Sequence, residues 1–422
     1  MEVTLARKTG VDLQFEAPAS KSYTHRALIA AGLAEGTSHI TRPLDADDTR
    51  ITAAALGELG VPVEFREGSI TVTGSGGKFR CSGGLTLDLG NSGTTMRLMA
   101  SIALLAGVPV ILTGTKRMQE RPIGPLVAAL NSAGGRIEYI GRAGCPPVRI
   151  SGRFQGGKLA IPGDVSSQFI SSILLAAPYA EWEVDLTVST PPASRSYLDL
   201  TVDIMETFGA GVEREGYGRF RVRNDLLYTG REYRVEGDYS SASYFFAIAA
   251  ASGGTVTVGN LNPGSVQGDM RFLSALEQMG CEVTYGKTGV TVTREGDLKG
   301  ITIDMSTSPD TVQTLAMVAA TAKTPTWIRG ISHLRFKESD RIAAIETTLT
   351  QAGCRVESGD NYLRIFPGPL HGCVIDPEDD HRTAMSAAVL GLAVGDVTIK
   401  NAECVAKSYP GFWDALKTEG LV

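Results

Sequence analysis

Basic residues recur at the predicted starts of several helices in this chain of 422 residues. A helix N-terminus attracts anions because its free N–H groups and its dipole point in the same direction. Arg and Lys neutralise phosphate and carboxylate groups, and Arg can contact either through two parallel hydrogen bonds. The basic residues in question are Lys21, Arg26, Arg121, Lys337, Arg341, Arg382 and Lys407. The pattern predicts a site that binds small, highly charged anions.

Two carboxylates lie among these cations in the sequence, Asp310 and Glu338. A carboxylate in cationic surroundings is a natural candidate for general acid or base catalysis. Each feature also has a plain structural explanation, since Asp310 could be only an N-cap and Glu338 could pair with Arg341 on a solvated helix face. If Lys337 and Arg341 share a helix, their repulsion at i,i+4 favours a bound anion there. The recurrence of cations at equivalent places in the chain favours a functional site.

The elements that would position these residues follow an internal repeat. An apolar helix end with a Gly in a left-handed cap is expected six times, and an alternating strand follows the first five. The glycines are Gly60, Gly134, Gly209, Gly280, Gly353 and Gly420. In phase with them, small polar clusters are expected to cap apolar helices at 20–22, 91–93, 166–168, 240–241, 308–310 and 380–382. Each unit of about 70 residues therefore reads β-α-β-α-β-β, an α/β or α+β module.

The sixth unit ends without its final hairpin, while two alternating segments, 3–6 and 11–15, precede the first unit. We therefore expect the N-terminal strands to pair with the last unit and the chain to close as two domains. One domain would contain residues 21–236, and the other residues 1–20 with 237–422. An open solenoid would need polar capping units at its ends, and neither end looks like one. If the helices of each domain point the same way, their starts would meet in a cleft that forms the active site.

Composition excludes several other classes of protein. The net charge of −6 argues against a nucleic-acid surface, because phosphate backbones are held by positively charged faces. No long apolar run predicts a membrane span, and the N-terminus does not resemble a signal peptide. The six cysteines are scattered, which fits reduced thiols better than a zinc site or a disulfide framework. We expect a cytoplasmic protein without a metal, a membrane or a nucleic-acid partner.

Several motifs, in the same order, resemble those of the EPSP synthase (3-phosphoshikimate 1-carboxyvinyltransferase) family over essentially the whole chain. They lie at 20–26, 90–98, 120–124, 336–341, 380–382 and 406–407. The resemblance implies a two-domain inside-out α/β barrel with three β-α-β-α-β-β repeats in each domain. It also implies transfer of the enolpyruvyl (carboxyvinyl) group of phosphoenolpyruvate to the 5-hydroxyl of shikimate 3-phosphate, with release of phosphate, in chorismate and aromatic amino-acid biosynthesis. No cofactor would be required, and we expect a monomer.

The same resemblance implies which residues contact each substrate. For shikimate 3-phosphate they are Lys21, Ser22, Arg26, Ser166, Ser167, Gln168, Ser194, Asp310 and Lys337. For phosphoenolpyruvate they are Lys21, Gly93, Arg121, Gln168, Arg341, Arg382 and Lys407. The implied mechanism is addition followed by elimination, with Asp310 as the base that takes the hydroxyl proton. Either Glu338 or Lys21 would be the acid that protonates the methylene carbon.

This chain departs from some family members in its second motif. Ser92, Thr95 and Leu98 stand where those members have Ala, Ala and Pro, and His333 stands where some have Asn. Gly93 is retained, so no methyl group should obstruct the phosphoenolpyruvate pocket. We therefore expect competitive inhibition by glyphosate.

Two other functions compete with this prediction. The sister enzyme, UDP-N-acetylglucosamine enolpyruvyl transferase, would have Lys-Asn in place of Lys21-Ser22 and a reactive Cys before Arg121. The corresponding loop, 115–119, contains no Cys. A non-catalytic anion-binding scaffold could share the repeat, but Asp310 and Glu338 among the cations speak against it.

Overall fold

A computed structural model describes all 422 residues, which form two compact units. One unit contains Met1–Ala19 together with Glu236–Val422, and the other contains Ser20–Val235. All six cysteines are free thiols. None of the helices combines the length and the apolar character that are needed to span a bilayer.

The elements are numbered in chain order. The first segment forms β1 (Val3–Leu5) and β2 (Val11–Glu16). The Ser20–Val235 unit has strands β3 (Thr37–Thr41), β4 (Val63–Arg66), β5 (Ser69–Thr73), β6 (Leu85–Asp88), β7 (Val110–Thr113), β8 (Gly135–Tyr139), β9 (Val148–Gly152), β10 (Gly157–Ile161), β11 (Val184–Val188), β12 (Val212–Glu215), β13 (Arg219–Val222) and β14 (Glu232–Arg234). Its helices are α1 (Lys21–Leu33), α2 (Asp47–Glu58), α3 (Gly93–Ile102), α4 (Gly124–Ser132), α5 (Ser167–Ala176) and α6 (Ser196–Thr207).

The remainder of the chain continues the same pattern. Its strands are β15 (Gly254–Gly259), β16 (Glu282–Tyr285), β17 (Gly289–Arg294), β18 (Thr302–Asp304), β19 (Thr326–Arg329), β20 (Arg355–Ser358), β21 (Tyr362–Phe366), β22 (Val374–Ile375) and β23 (Val397–Ile399). Its helices are α7 (Tyr239–Ser252), α8 (Arg271–Met279), α9 (Val312–Ala320), α10 (Arg341–Gln351), α11 (His381–Val394) and α12 (Phe412–Thr418).

The repeat appears as a recurring sheet topology. In the second repeat, β6 and β7 are parallel and are joined through α3, and an antiparallel β8–β9 hairpin completes the sheet in the order β6-β7-β9-β8. Four more sheets have equivalent strand orders: β14-β3-β5-β4, β10-β11-β13-β12, β16-β17-β15-β2 and β18-β19-β21-β20. The sixth sheet, β1-β23-β22, has three strands. The predicted β-α-β-α-β-β module is therefore present.

The N-terminal strands divide between two sheets. β1 pairs antiparallel with β23 of the last repeat, as expected, with Val3 opposite Ile399. The prediction for β2 is wrong, because β2 runs parallel to β15 of the fourth repeat. The apolar face of β2 explains this choice, since Phe15 stacks on Phe245 of α7 with ring centroids 4.0 Å apart. In the other unit β14 takes the corresponding place beside β3.

Three helices in each unit lie inside, surrounded by the sheets. They are α1, α3 and α5 in one unit and α7, α9 and α11 in the other, and all fourteen residues of α7 are buried. Their buried residues extend around the whole helix, as expected for a helix without a solvent face. α8, in contrast, buries only the stripe formed by Phe272, Leu273, Ala275, Leu276 and Met279. Each unit is thus an inside-out α/β barrel, and its central helices carry several of the candidate site residues at their starts.

Glycine C-caps and polar N-caps mark the ends of helices in the repeats. All six predicted helix-end glycines have positive φ, between 65° at Gly420 and 111° at Gly280, which confirms the left-handed caps. Ser20, Ser166 and Asp380 accept hydrogen bonds from backbone N–H groups of α1, α5 and α11, as predicted for N-caps. At α7 the prediction is wrong by two residues, because Asp238 is the cap and Ser240 and Ser241 already lie in the helix.

Candidate active site

Lys21 is the first residue of α1, and its ammonium group faces a carboxylate from α2. Its Nζ lies 3.1 Å from Oδ2 of Asp48, with side-chain exposures of 13% and 2%. The partial burial strengthens this ion pair relative to one on the surface. Asp48 was not among the predicted site residues, because acidic residues in the first turn of a helix are usually explained by the helix dipole. The Asp47-Asp48 pair at the start of α2 was nevertheless a signal.

Arg26 lies one turn further along α1 and is buried. Its guanidinium donates to Thr201 Oγ1 at 2.8 Å and to Ser171 Oγ at 3.4 Å. It also donates to the carbonyl oxygens of Ser22 at 3.0 Å and Tyr197 at 3.2 Å. These bonds occupy four of the five guanidinium N–H groups, so Arg26 mainly ties α1 to α5 and α6. Burial lowers the pKa of Arg26 to about 10.

Arg121 packs against the start of α3. A methyl group added to Gly93 would lie only 2.4 Å from Nη2 of Arg121. Nη1 of Arg121 donates to the backbone and side-chain oxygens of Asn91 at 3.3 and 3.4 Å. The next residue, Thr94, accepts a hydrogen bond of 3.1 Å from Nε2 of Gln168. Contacts of Gly93 and Thr94 therefore bring two predicted phosphoenolpyruvate ligands to one helix start.

The serines predicted to bind shikimate 3-phosphate lie at or near the starts of α5 and α6. Ser166 caps α5 by accepting a 3.2 Å hydrogen bond from the N–H of Gln168, and Ser167 is buried beside it. Ser194 is buried, with φ of 56°, an uncommon left-handed conformation for a residue other than Gly. Its carbonyl accepts from the N–H of Tyr197, whose own carbonyl binds Arg26. Ser194 thus lies on the same hydrogen-bonded path as Arg26 and Ser22.

In the other unit, Asp310 bridges two arginines. Its Oδ1 lies 3.0 Å from Nη1 of Arg341, and its Oδ2 lies 2.8 Å from Nη2 of Arg382. Arg382 also donates to the Asp310 carbonyl at 3.2 Å and to the Tyr244 hydroxyl at 3.3 Å. Asp310 sits in a single 3₁₀ turn before α9, and Arg382 is the second residue of α11. The starts of two central helices therefore place these groups together.

Arg341 holds two further carboxylates. Its Nη2 lies 2.8 Å from Oε2 of Glu338, and its Nε lies 2.8 Å from Oδ2 of Asp380. Burial alone lowers the pKa of Arg341, but Asp380, Glu338 and Asp310 together raise it above its ordinary value. The predicted Glu338–Arg341 pair forms, but it is buried rather than on a solvated helix face. Asp380 was not among the predicted site residues, because capping α11 sufficed to explain an aspartate at that position.

Lys337 does not share a helix with Arg341, because α10 begins only at Arg341. The sequence argument from like charges four residues apart on one helix is therefore wrong. Lys337 directly follows a 3₁₀ segment that contains His333. Burial and the positive charge of Lys337 lower the pKa of His333 to about 3, so this imidazole is neutral at pH 7. Lys407 ends another 3₁₀ segment, before α12, and is half-buried.

A further carboxyl group, which sequence reasoning missed, lies near Asp310. Asp269 is buried and accepts a hydrogen bond from the hydroxyl of Ser240, in the first turn of α7. Burial, followed by the nearby charge of Asp310, raises the pKa of Asp269 to about 7. A raised carboxyl pKa next to a candidate base is typical of a functional site.

The predicted site residues thus divide between the two units. The Lys21 cluster comprises Lys21, Ser22, Arg26, Gly93, Arg121, Ser166, Ser167, Gln168 and Ser194, and the Arg341 cluster comprises Asp310, Lys337, Glu338, Arg341, Arg382 and Lys407. Both clusters lie at or just before helix starts, where an anion gains from free N–H groups and the helix dipole. Nowhere do three or more His, Cys, Asp or Glu side chains gather in an arrangement that could hold a metal ion.

Comparisons with known proteins agree on one class. The family model for EPSP synthase (3-phosphoshikimate 1-carboxyvinyltransferase) matches residues 7–416. An EPSP synthase structure from Acinetobacter baumannii superposes with a TM-score of 0.84 at 28% identity and covers 100% of this chain and 98% of that one. The fold is therefore that of EPSP synthases.

Curated relatives extend this result to the whole sequence. A 3-phosphoshikimate 1-carboxyvinyltransferase from Methanoculleus marisnigri is 60% identical over 422 residues, which is 100% of both chains. A protein of the same name from Klebsiella pneumoniae is 43% identical over 403 residues, or 94% of each chain. The chain belongs to the EPSP synthase family. The comparisons do not favour the UDP-N-acetylglucosamine alternative.

Proposed function

We propose that this protein transfers the enolpyruvyl group of phosphoenolpyruvate to the 5-hydroxyl of shikimate 3-phosphate and releases phosphate. Membership of the EPSP synthase family supports this reaction. The main support for the proposed chemistry is the position of the Asp310 carboxylate, which lies 3.0 Å from Arg341 and 2.8 Å from Arg382.

Arginines that hold a carboxylate in the free protein can exchange it for a substrate anion. Arg341 and Arg382 form charge-assisted hydrogen bonds with Asp310, and the carboxylate of phosphoenolpyruvate offers the same geometry. When the substrate takes these donors, the Asp310 carboxylate is released from them. Asp310 then accepts the proton of the attacking 5-hydroxyl.

The reaction consists of two balanced steps. In the addition, the hydroxyl oxygen bonds to C2 of phosphoenolpyruvate, its proton goes to Asp310, and the methylene carbon gains a proton from an acid. In the elimination, that carbon loses a proton, the double bond re-forms and the C2–O bond to phosphate breaks. Lysine and arginine side chains that contact the substrates stabilise the phosphate groups as negative charge moves onto them.

Two groups compete for the role of acid. Glu338 lies 2.8 Å from Arg341, and Lys21 lies 3.1 Å from Asp48. Exchange of solvent deuterium into the methylene of phosphoenolpyruvate separates them. With both substrates present at saturating concentration, the variant that lacks the true acid, Glu338→Gln or Lys21→Met, should lose this exchange.

Phosphate release tests the function as a whole. The protein should release phosphate from phosphoenolpyruvate with shikimate 3-phosphate and not with UDP-N-acetylglucosamine. Asp310→Asn should lower kcat at least a hundredfold. A matched control is Asp297→Asn, because Asp297 is 75% exposed in the same unit, and this variant should turn over normally. Release only with the sugar nucleotide would overturn the proposal.

We further infer a monomer that works in the cytoplasm. The small anionic substrates and the free thiols support this inference. Sedimentation equilibrium should give the mass of a single 44.6 kDa chain. A dimer at micromolar concentration would contradict it.

A further inference from the structure

Four buried polar side chains form a continuous hydrogen-bonded chain in the Ser20–Val235 unit. Nδ1 of His25 lies 2.7 Å from Oγ1 of Thr52, which lies 2.7 Å from Oγ1 of Thr95. Oγ1 of Thr95 lies 2.7 Å from Oγ of Ser92. All four residues have an exposed fraction of 0%. Because burying a hydroxyl without a partner costs free energy, these groups depend on one another.

The hydrogen-bonded chain connects three helices, α1, α2 and α3. His25 belongs to α1 and Thr52 to α2, while Ser92 immediately precedes α3 and Thr95 is its third residue. α1 also carries Lys21, and α2 carries its partner Asp48. The hydrogen-bonded chain therefore links the elements that hold the Lys21–Asp48 ion pair to the start of α3.

Ser92 and Thr95 flank the two residues of α3 that contact predicted phosphoenolpyruvate ligands. Gly93 lies against the guanidinium of Arg121, and Thr94 accepts a 3.1 Å hydrogen bond from Gln168. A shift of about 1 Å at this helix start would alter both contacts. The four-residue chain holds the backbone on both sides of them.

The role of Ser92 differs from that of an ordinary helix cap. Ser92 occupies the N-cap position of α3, yet its side chain accepts no hydrogen bond from a backbone N–H of that helix. Its hydroxyl is hydrogen-bonded to the hydroxyl of Thr95 instead. In contrast, Ser166 at the neighbouring helix α5 does cap the backbone, with a 3.2 Å bond from the N–H of Gln168.

We propose that the chain His25–Thr52–Thr95–Ser92 is a positioning device that fixes Gly93 and Thr94, and through them Arg121 and Gln168, for phosphoenolpyruvate. The four residues are positioning residues and do not touch the substrate. The identity of the substrate rests on the proposed function above. The device itself rests on the hydrogen bonds alone.

The central test replaces Thr95 with Val, which keeps the shape and removes the hydroxyl. Thr95→Ser keeps the hydroxyl and removes the methyl, so it should restore most of the lost function. The matched control is Ser101→Ala on the same helix. Ser101 has an exposed fraction of 0% and also joins a buried hydroxyl pair, with Oγ 2.7 Å from Oγ of Ser172, but it lies two turns beyond the helix start.

Steady-state kinetics should separate positioning from stability. Thr95→Val should raise the KM for phosphoenolpyruvate about tenfold, as expected when the buried hydrogen bonds of Thr95 to Thr52 and Ser92 are lost, and change the KM for shikimate 3-phosphate less than twofold. Thr95→Ser should return the KM for phosphoenolpyruvate to within about threefold of the parent protein. Ser101→Ala should lower thermal stability without changing either KM. Equal changes in both KM values, or none, in Thr95→Val would overturn the proposal.

Amide hydrogen exchange provides a readout that does not depend on catalysis. Thr95→Val should speed exchange at residues 91–96, and Ser101→Ala should leave that segment unchanged. If the parent protein does not turn over the two substrates, the proposed function fails, and the exchange result still tests the device. Unchanged exchange at 91–96 in Thr95→Val would show that the hydroxyl chain does not hold this helix start.

Discussion

The Arg121 guanidinium lies so close to Gly93 that the structure has no room for even a methyl group between them. A Cβ on Gly93 would lie 2.4 Å from Nη2 and 2.8 Å from Cζ of Arg121. Arg121 is itself buried and bonded to Asn91, so it cannot move away without losing those contacts. The position of the cation therefore depends on the absence of a side chain at residue 93.

Gly93→Ala should displace Arg121 and weaken the binding of phosphoenolpyruvate. We expect its KM to rise at least tenfold, with a much smaller effect on the KM for shikimate 3-phosphate. Gly57→Ala is a suitable control, because Gly57 lies in α2 of the same unit and an added Cβ would meet nothing within 4 Å. A normal KM in Gly93→Ala would show that Arg121 does not set the affinity for this substrate.

The unobstructed space at Gly93 also predicts inhibition by glyphosate. The inhibitor should compete with phosphoenolpyruvate, because it offers carboxylate and phosphonate groups to the same cations. Inhibition kinetics at several phosphoenolpyruvate concentrations would check this. Full activity at millimolar glyphosate would contradict the expectation.

Lys21→Met should separate the catalytic and structural roles of the Lys21–Asp48 pair. The substitution leaves the carboxylate of Asp48, which is only 2% exposed, without this cation, so the free energy of unfolding should fall by about 3 kcal/mol. Turnover should fall at least a hundredfold. In Lys21→Met/Asp48→Asn the stability should recover in part, as measured by urea unfolding, while turnover stays low. Recovery of both would mean that Lys21 is only structural.

Arg341→Lys should lower both stability and kcat, although the substitution keeps the positive charge. One guanidinium reaches Asp310, Glu338 and Asp380 in three directions, and an ammonium group cannot reproduce that fork. We expect a loss of about 2 to 4 kcal/mol in stability, together with a large loss of kcat. Arg364→Lys is the control, since Arg364 is 49% exposed and pairs loosely with Glu357 at 3.8 Å. Equal, small effects of the two substitutions would show that the fork is dispensable.

Asp269 should give the protein a measurable pH dependence of stability. Its pKa is raised to about 7 in the folded protein, mainly by burial and then by Asp310, from an ordinary value near 3.8. The folded state therefore binds the proton more tightly than the unfolded state, and stability should fall as pH rises from about 4 to about 7. The loss is about 1.4 kcal/mol per tenfold difference in proton affinity.

Asp269→Asn removes this titration and keeps an oxygen that can accept from Ser240. Its free energy of unfolding should approach or exceed that of the parent protein above pH 7 and depend less on pH between 4 and 7. Urea unfolding at half-unit pH intervals would measure both curves. Parallel curves for the two proteins would show that Asp269 is not protonated in the folded state.

The sequence by itself determined the features that depend on residues close together in the chain. The six helix-end glycines adopt positive φ. A left-handed cap at a helix end requires this conformation, and the requirement depends only on the local backbone. The caps at Ser20, Ser166 and Asp380 form because a side-chain oxygen needs only an N–H two or three residues away. The repeat and its helix starts, and hence the neighbourhood of the candidate site, were predictable for this reason.

Only the tertiary structure decided which distant groups meet. The β2 strand could have paired with either of two similar sheets, and the packing of Phe15 on Phe245 accompanies its choice of β15. Asp48 became a partner of Lys21. Ser92 became part of the hydrogen-bonded chain that leads to His25 instead of capping its own helix. Such choices depend on how helices far apart in sequence pack, because a buried polar group must find a partner wherever the fold brings one.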